Sequence, residues 1–388
     1  MLSQRSQNLG ESLTLVMTDI AKTLKANGEK VIGFSAGEPD FDTPKVIKEA
    51  AISAIEKGCG AYTPVVGIKE VIEAIQYKFE KDNNLNYKTN EIITNVGAKH
   101  SLFLAIECLI EEDDEVIIPS PYWVSYPEMV KFAGGTPVFI EGEAKNGFKI
   151  TPEQLKQAIT PKTKVLMFNS PSNPTGAIYS KEEITALAKV LEGTKIVVLS
   201  DEIYEKLVYD GEFCAFAQVS EDALNRTVSI NGLSKCGAMP GWRFGYMASK
   251  MSEFNNAVKK LQGQSTSNIC SIIQHAALPA LLGKADGDIE MMRQAFLKRR
   301  DIACEILSKS EKLKLEQIPQ GAFYLFISCK EIDNDSMRFC KRLLEEQKVA
   351  LVPGIGFGME GYFRLSYATN EKDITEGCEK IVEFVKNY

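Results

Sequence analysis

Lys235 and Arg243 lie in the segment SINGLSKCGAMPGWRFGY, residues 229–246. The apolar run before them reads as a buried strand that ends in a Gly-Leu-Ser-Lys turn. The lysine is flanked by small, mostly uncharged residues: Ser234, Cys236, Gly237 and Ala238. An amine placed there is poorly hydrated, so its pKa falls and it becomes a usable nucleophile. Arg243 stays cationic, and its planar fork suits a phosphate dianion. The pair suggests a Schiff-base lysine with a phosphate anchor beside it. Taken alone, the segment favours a plainer reading, a solvated turn lysine followed by ordinary Gly-Trp-Arg packing.

The partners such a site requires stand upstream, in separate loops. Asp201 and Tyr204 belong to SDEIYE, Asn173 to NSPSNPTG, Trp123 to SPYWVSY, and Gly97, Ala98 and Lys99 to NVGAKH. Each follows a short apolar run that reads as a strand. Together they match the needs of pyridoxal 5′-phosphate, an electron sink only while its ring nitrogen keeps a proton. A carboxylate such as Asp201 stabilises that proton. Tyr204 and Asn173 can hydrogen-bond the ring's phenolic oxygen. Helix N-terminal amides at Gly97, Ala98 and Lys99 can hold the phosphate, with Arg243 and the Ser234 hydroxyl. Trp123 can stack on the ring, and a freed Lys235 amine can move a proton. Plainer readings exist for each residue. Asp201 alone is a helix cap, NPTG a turn, Trp123 and Tyr122 core aromatics, and Lys99 a solvated first-turn lysine. Arg364 interrupts the apolar strand Tyr362-Phe363-Arg364-Leu365. A charge there needs a partner, either a surface carboxylate or, the better choice, a substrate carboxylate held by the guanidinium.

These residues need a scaffold, and the chain alternates helix and strand from about residue 44. Thr43-Pro44 marks a helix start and Gly58 its end. Ile68, Val71, Ile72, Ile75 and Phe79 fall at helical spacing. Capping boxes open helices at Thr151 and Ser180. The runs 91–96 and 115–119 read as strands, and 165–169, 196–200, 227–231 and 244–249 as short apolar runs without alternation, as strands covered on both faces are. The pattern implies an α/β fold with a large, mostly parallel sheet, and ligands gathered at the strands' carboxyl ends. Past residue 285 the texture changes. A long helix near 289–308, strands at 321–328, 349–353 and 362–368, and helices near 335–347 and from Glu371 imply a smaller α+β domain. The expected division is 46–288 for the large cofactor-binding domain, with 1–45 and 289–388 forming an N-terminal arm and the small domain. Gly354-Ile355-Gly356-Phe357-Gly358 is no dinucleotide fingerprint and reads as a flexible loop.

Composition excludes several function classes. The 388 residues are 44% hydrophobic and 25% charged, with 45 basic against 52 acidic side chains and a net charge of −7. No Lys/Arg run of nucleic-acid type occurs, nor any apolar stretch of membrane-helix length. Nine scattered cysteines without a CxxC pair point to reduced thiols in a cytoplasm-like compartment. Only two histidines, His100 and His275, are present, without metal-ligand spacing. Most zinc sites and histidine-based triads are thereby excluded.

The order NPTG, DEIY, SK…GWR and RLSYA resembles the class I, fold-type I pyridoxal-phosphate aminotransferases. The strings AGEPDFDTP, PSPYWVSYPEMV and FAGG resemble the bacterial-type Ib aspartate aminotransferases. The resemblance runs over nearly the whole chain. It implies a homodimer with active sites at the subunit interface and transfer of amino groups between aspartate and 2-oxoglutarate. It further implies that Tyr62 reaches the phosphate of the neighbouring subunit's cofactor, with Ser267 and Asn268 in a segment crossing that interface. Gly37 would lend a backbone amide to the substrate carboxylate, and Arg364 would bind it directly. Two departures stand out. Gln262, Gly263 and Gln264 occupy the stretch where animal-type enzymes carry an arginine for the distal carboxylate; Lys99 matches the lysine that the Ib group uses instead. Gly10 stands where prephenate-using members have a basic residue, which speaks against prephenate. The competing enzyme readings keep the fold and change the substrate to aromatic amino acids, alanine or kynurenine, or to β-elimination. A non-enzymatic cofactor-binding regulator is a further class, but no helix-turn-helix or basic extension flanks the domain. A nicotinamide dehydrogenase lacks its glycine fingerprint.

Overall fold

A computed structural model describes residues 2–388. Seven strands form the main sheet. Their order is Ile92–Val96, Phe244–Ser249, Thr227–Gly232, Val197–Asp201, Thr163–Asn169, Glu115–Ser120 and Thr136–Glu141. Phe244–Ser249 is antiparallel to both its neighbours; every other pairing is parallel. Thr227–Gly232 and Phe244–Ser249 are buried at every position, so they carry only apolar, small or uncharged polar residues. The parallel strands therefore deliver their following loops to one edge of the sheet. A second, antiparallel sheet pairs Tyr362–Ser366 with Val352–Pro353 on one side and Tyr324–Ser328 on the other. Ile32–Gly33 pairs in parallel with Val349–Ala350, tying the first fifth of the chain to the last. One hydrophobic cluster runs continuously from Met17 to Val385.

The local signals mostly act as their chemistry dictates. Thr151 and Ser180 cap their helices by accepting from the amides of Gln154 and Glu183, each at 3.2 Å. Three readings need correction. Thr43 does not cap the helix Lys45–Glu56; its hydroxyl donates to the Ala238 carbonyl at 2.8 Å, pinning the loop before the helix onto the Lys235 turn. Asp201 is the last residue of its strand rather than a residue beyond it. The Gly354–Phe357 segment is an ordered 3₁₀ turn, because Phe357 is fully buried beneath Arg364. Smaller shifts of boundary affect the long helix, which spans Asp286–Leu307, and 349–353, which splits into two two-residue strands. Among the described residues no helix is long and apolar enough to cross a membrane, and all nine cysteines are free thiols.

A buried ion pair fixes the turn that follows Asp201. Lys78, on the helix Lys69–Asn83, meets Glu205, with both side chains almost inaccessible to water. Asn83 accepts from Lys78 at 2.8 Å and donates to Glu205 at 3.2 Å. Removing one partner would strand the other charge away from water, a loss of roughly 3–5 kcal/mol. Glu205→Ala is therefore expected to lower the urea unfolding midpoint substantially. Lys30→Ala, which breaks the exposed pair with Glu376, is expected to leave it nearly unchanged. Equal midpoints for the two variants would contradict this account of the turn.

Candidate active site

The loops leaving the carboxyl edge of the main sheet meet the second sheet around a cavity of about 510 Å³. Gly37, Ala98, Lys99, Trp123, Asn173, Asp201, Tyr204, Ser234, Lys235, Arg243 and Arg364 all line it. Residues as far apart in sequence as Gly37 and Arg364 thus share one volume. Gly97, Tyr62, Ser267 and Asn268 lie outside the lining. Gly97 sits directly beneath Arg243, where a Cβ would come within 2.6 Å of the guanidinium. Tyr62 is 89% exposed, and Ser267 is exposed as well.

Lys235 is half-buried and reaches into the cavity. Burial is the main cause that pushes its pKa down to about 8, and the nearby Arg364 charge adds to the effect. The amine donates to the Gly37 carbonyl. The loop carrying Gly37 is fastened in turn. Asp40 accepts two hydrogen bonds from the largely buried Arg299, at 2.7 and 3.0 Å.

Asp201 is 5% exposed. Tyr126 donates to its Oδ2 at 2.7 Å and the Ile203 amide to its Oδ1 at 3.3 Å. Burial raises its pKa; the Tyr126 bond opposes that rise. Asn169 aligns two strand-end loops at once. Its amide donates to the Asp201 carbonyl and its oxygen accepts from the Asn173 amide, each at 2.9 Å.

Arg364 is 1% exposed and forms no salt bridge among the described residues. Its guanidinium donates to Asn173 Oδ1 at 3.0 Å and to the Ser35 carbonyl at 2.8 Å, while Nε has no partner. Aromatic rings crowd it, Tyr324 at 4.4 Å and Phe357 at 5.0 Å from centroid to guanidinium carbon. Burial lowers its pKa. A guanidinium desolvated without a counter-charge is a receptor for an incoming anion.

A second anion receptor faces Lys235. The helix Ala98–Leu109 opens at Gly97, which takes φ +79°. The first-turn amides of Ala98 and Lys99 have no carbonyl to bond within the helix. Arg243 lies over this terminus, bonded to the Pro240 carbonyl at 2.8 Å, in a left-handed conformation with φ +61°. Ala238 also has positive φ, at +45°. Such conformations cost on the order of 1–3 kcal/mol each and persist where surrounding structure demands them. Lys99 projects over the Trp123 ring at 4.7 Å, with its pKa lowered by burial and by Arg243.

The donor set therefore fits pyridoxal phosphate. It offers an amine of lowered pKa, a buried carboxylate, a phenol at Tyr204 and an open helix N-terminus with a cation. Sequence reasoning missed Tyr126 and Tyr324. Tyr126 stands three residues after Trp123 and packs edge-to-face on it at 5.3 Å. Tyr324 is the one hydroxyl-bearing aromatic in the apolar run GAFYLFI. A hydroxyl in a wholly apolar strand was the signal available for it. Gln262 is fully buried, accepting from Asn95 at 2.6 Å and donating to the carbonyls of Val65 and Thr94, so it serves the scaffold.

The lowered pKa of Lys235 predicts its reactivity in cofactor-free protein. Modification by trinitrobenzenesulfonate, followed by peptide mapping, is expected to rise with pH and level off near the amine's pKa of about 8. Ordinary lysines continue to gain reactivity well above that pH. A Lys235 profile that tracks the bulk lysines would contradict the desolvated-amine reading.

Known proteins share this architecture. The family model described as aminotransferase class I and II matches residues 29–381. The aspartate aminotransferase of Geobacillus stearothermophilus is 48% identical, over 99% of each chain. That of Bacillus subtilis is 47% identical, over 100% of this chain and 99% of its own. The solved structure of the Thermus thermophilus aspartate aminotransferase with maleate superposes with a TM-score of 0.95 at 42% identity, covering 99% of each chain. With its fold, its cavity and its full-length likeness in agreement, this chain belongs to the class I and II aminotransferase family.

Proposed function

We propose that this aminotransferase uses pyridoxal 5′-phosphate, bound through Lys235, to exchange an amino group between L-aspartate and 2-oxoglutarate. The observation that carries the reading is Arg364, a fully buried guanidinium without a carboxylate partner, in the same cavity as the desolvated Lys235 amine. The likeness to aspartate aminotransferases supports the choice of substrate.

In this reading the Ala98 and Lys99 amides, the Ser234 hydroxyl and Arg243 hold the phosphate, and Gly97 leaves room for Arg243 above the helix. Trp123 covers one face of the ring. Asp201 holds a proton on the ring nitrogen, with its ionised form favoured by the Tyr126 bond. Tyr204 and Asn173 direct hydrogen bonds toward the phenolic oxygen. When bound, the cofactor supplies an electron sink for the pair left on the substrate α-carbon as its proton departs. The Lys235 amine would be placed to move a proton between the substrate α-carbon and the cofactor. An amine of pKa about 8 is partly unprotonated at neutral pH, as a general base must be. Arg364, with the Gly37 backbone, holds the substrate α-carboxylate. Lys99 balances the distal carboxylate.

Residues 46–288 act as the cofactor-binding unit, with 1–45 and 289–388 forming the arm and the smaller unit. The exposure of Tyr62 and Ser267 suits a homodimer in which Tyr62, Ser267 and Asn268 complete the site of a second copy. Free thiols throughout the chain suit a reducing, cytoplasmic setting.

Lys99→Ala tests the substrate assignment. It is expected to cut kcat/KM for aspartate and glutamate by roughly 100-fold, the value of one charged contact of about 2–3 kcal/mol. Alanine and phenylalanine should lose far less. Equal losses for all four amino acids, or a wild-type preference for neutral or aromatic ones, would overturn the aspartate assignment.

A further inference from the structure

We propose that Tyr324 is a positioning residue for amino transfer. Its hydroxyl sets the Tyr204 phenol while its ring supports the Arg364 guanidinium. One side chain then governs both the contact to the cofactor's phenolic oxygen and the contact to the substrate carboxylate. The proposal rests on the cavity reading above and extends it to a residue outside that reading.

Tyr324 opens the strand Tyr324–Ser328 and is fully buried. A phenol in such a place needs a hydrogen-bond partner. It has one, the Tyr204 hydroxyl at 2.8 Å, with the two rings edge-to-face at 5.9 Å. The strand register places Tyr324 opposite Ser366, two residues along from Arg364. Its ring lies 4.4 Å from the Arg364 guanidinium carbon. A third contact closes the group. A Cβ at Gly37 would fall 2.9 Å from the Tyr324 hydroxyl, so the strip that carries the Lys235 acceptor passes directly over it.

The direction of the phenol pair follows from proton counting. Each hydroxyl has one proton to give. With an oxygen anion in the cavity, Tyr204 donates outward to it. Tyr324 then donates to Tyr204. Hydrogen bonds in tandem polarise one another, so Tyr324 makes Tyr204 the stronger donor. Burial raises the pKa of both phenols, which keeps both protons in place at working pH. The other titratable or charged groups facing Tyr204 are Asp201, Tyr126 and Arg364. None of these substitutes for Tyr324 as a donor to the Tyr204 oxygen among the described residues.

The test compares wild type, Tyr324→Phe and Tyr324→Leu, each loaded with pyridoxal phosphate. The first readout is the pH titration of the bound cofactor's visible band, without substrate. A donor on the phenolic oxygen stabilises its negative charge and so disfavours a proton on the adjacent lysine nitrogen. Weakening that donor should move the midpoint upward in Tyr324→Phe by roughly half to one pH unit, the scale of one hydrogen bond. The second readout is succinate binding by calorimetry. Tyr324→Phe keeps a ring beneath Arg364 and should bind within about twofold of wild type, whereas Tyr324→Leu should bind roughly tenfold more weakly. An unmoved midpoint in Tyr324→Phe would overturn the relay, and full succinate affinity in Tyr324→Leu would overturn the support of Arg364. A wild-type protein that takes up no pyridoxal phosphate would overturn the cavity reading itself, and the proposal with it.

Discussion

The site depends on a positive charge buried without a counter-charge. Arg364 is enclosed by two aromatic rings, an amide oxygen and a backbone carbonyl. None of these neutralises it. Desolvating an unpaired guanidinium is unfavourable, and a fold keeps such a group only where function requires it. Its field reaches Lys235, where it joins burial in holding the amine's pKa down. The same absence of a counter-charge that suits Arg364 to an incoming anion thus helps to lower the Lys235 pKa.

The other buried cations show how differently a structural charge is treated. Arg299 meets Asp40 through two hydrogen bonds and Lys78 meets Glu205 with Asn83 between them. Both pairs are closed, and both brace elements around the cavity. The first holds the loop carrying Gly37, and the second holds the turn that carries Tyr204. Charges with partners build the walls; those without partners face the ligand. The parallel sheet makes this division possible, since its strands release Gly97, Trp123, Asn173 and Lys235 at one edge. Arg364 arrives from the second sheet across the cavity.

Much of this arrangement was legible in residue types and spacing. Strands covered on both faces show short, largely uncharged runs, and chemistry-bearing residues after such runs stand out against them. Lys235 and Asn173 are visible for that reason, and Arg364 because it interrupts an apolar strand. Asp201 was visible too, though as a residue past its strand, because a terminal carboxylate and a helix cap look alike in sequence. The misreadings have a common cause in tertiary contacts. Thr43 has the chemistry of a helix cap, yet a distant carbonyl at Ala238 claims its hydroxyl. Gly354–Gly358 has the composition of a mobile loop, yet burial of Phe357 against Arg364 orders it. Tyr126 and Tyr324 stayed hidden among apolar neighbours, since an aromatic ring in a core needs no further explanation until the partner of its hydroxyl is known.

The central claim is that Lys235, rather than any other amine of the cavity, takes the cofactor. The direct measurement is borohydride reduction of the protein purified with pyridoxal phosphate, followed by peptide mass mapping. The account predicts a single pyridoxyl group, on the peptide containing Lys235. A pyridoxyl group on Lys99, the other lysine lining the cavity, or on any lysine outside it, would contradict the account.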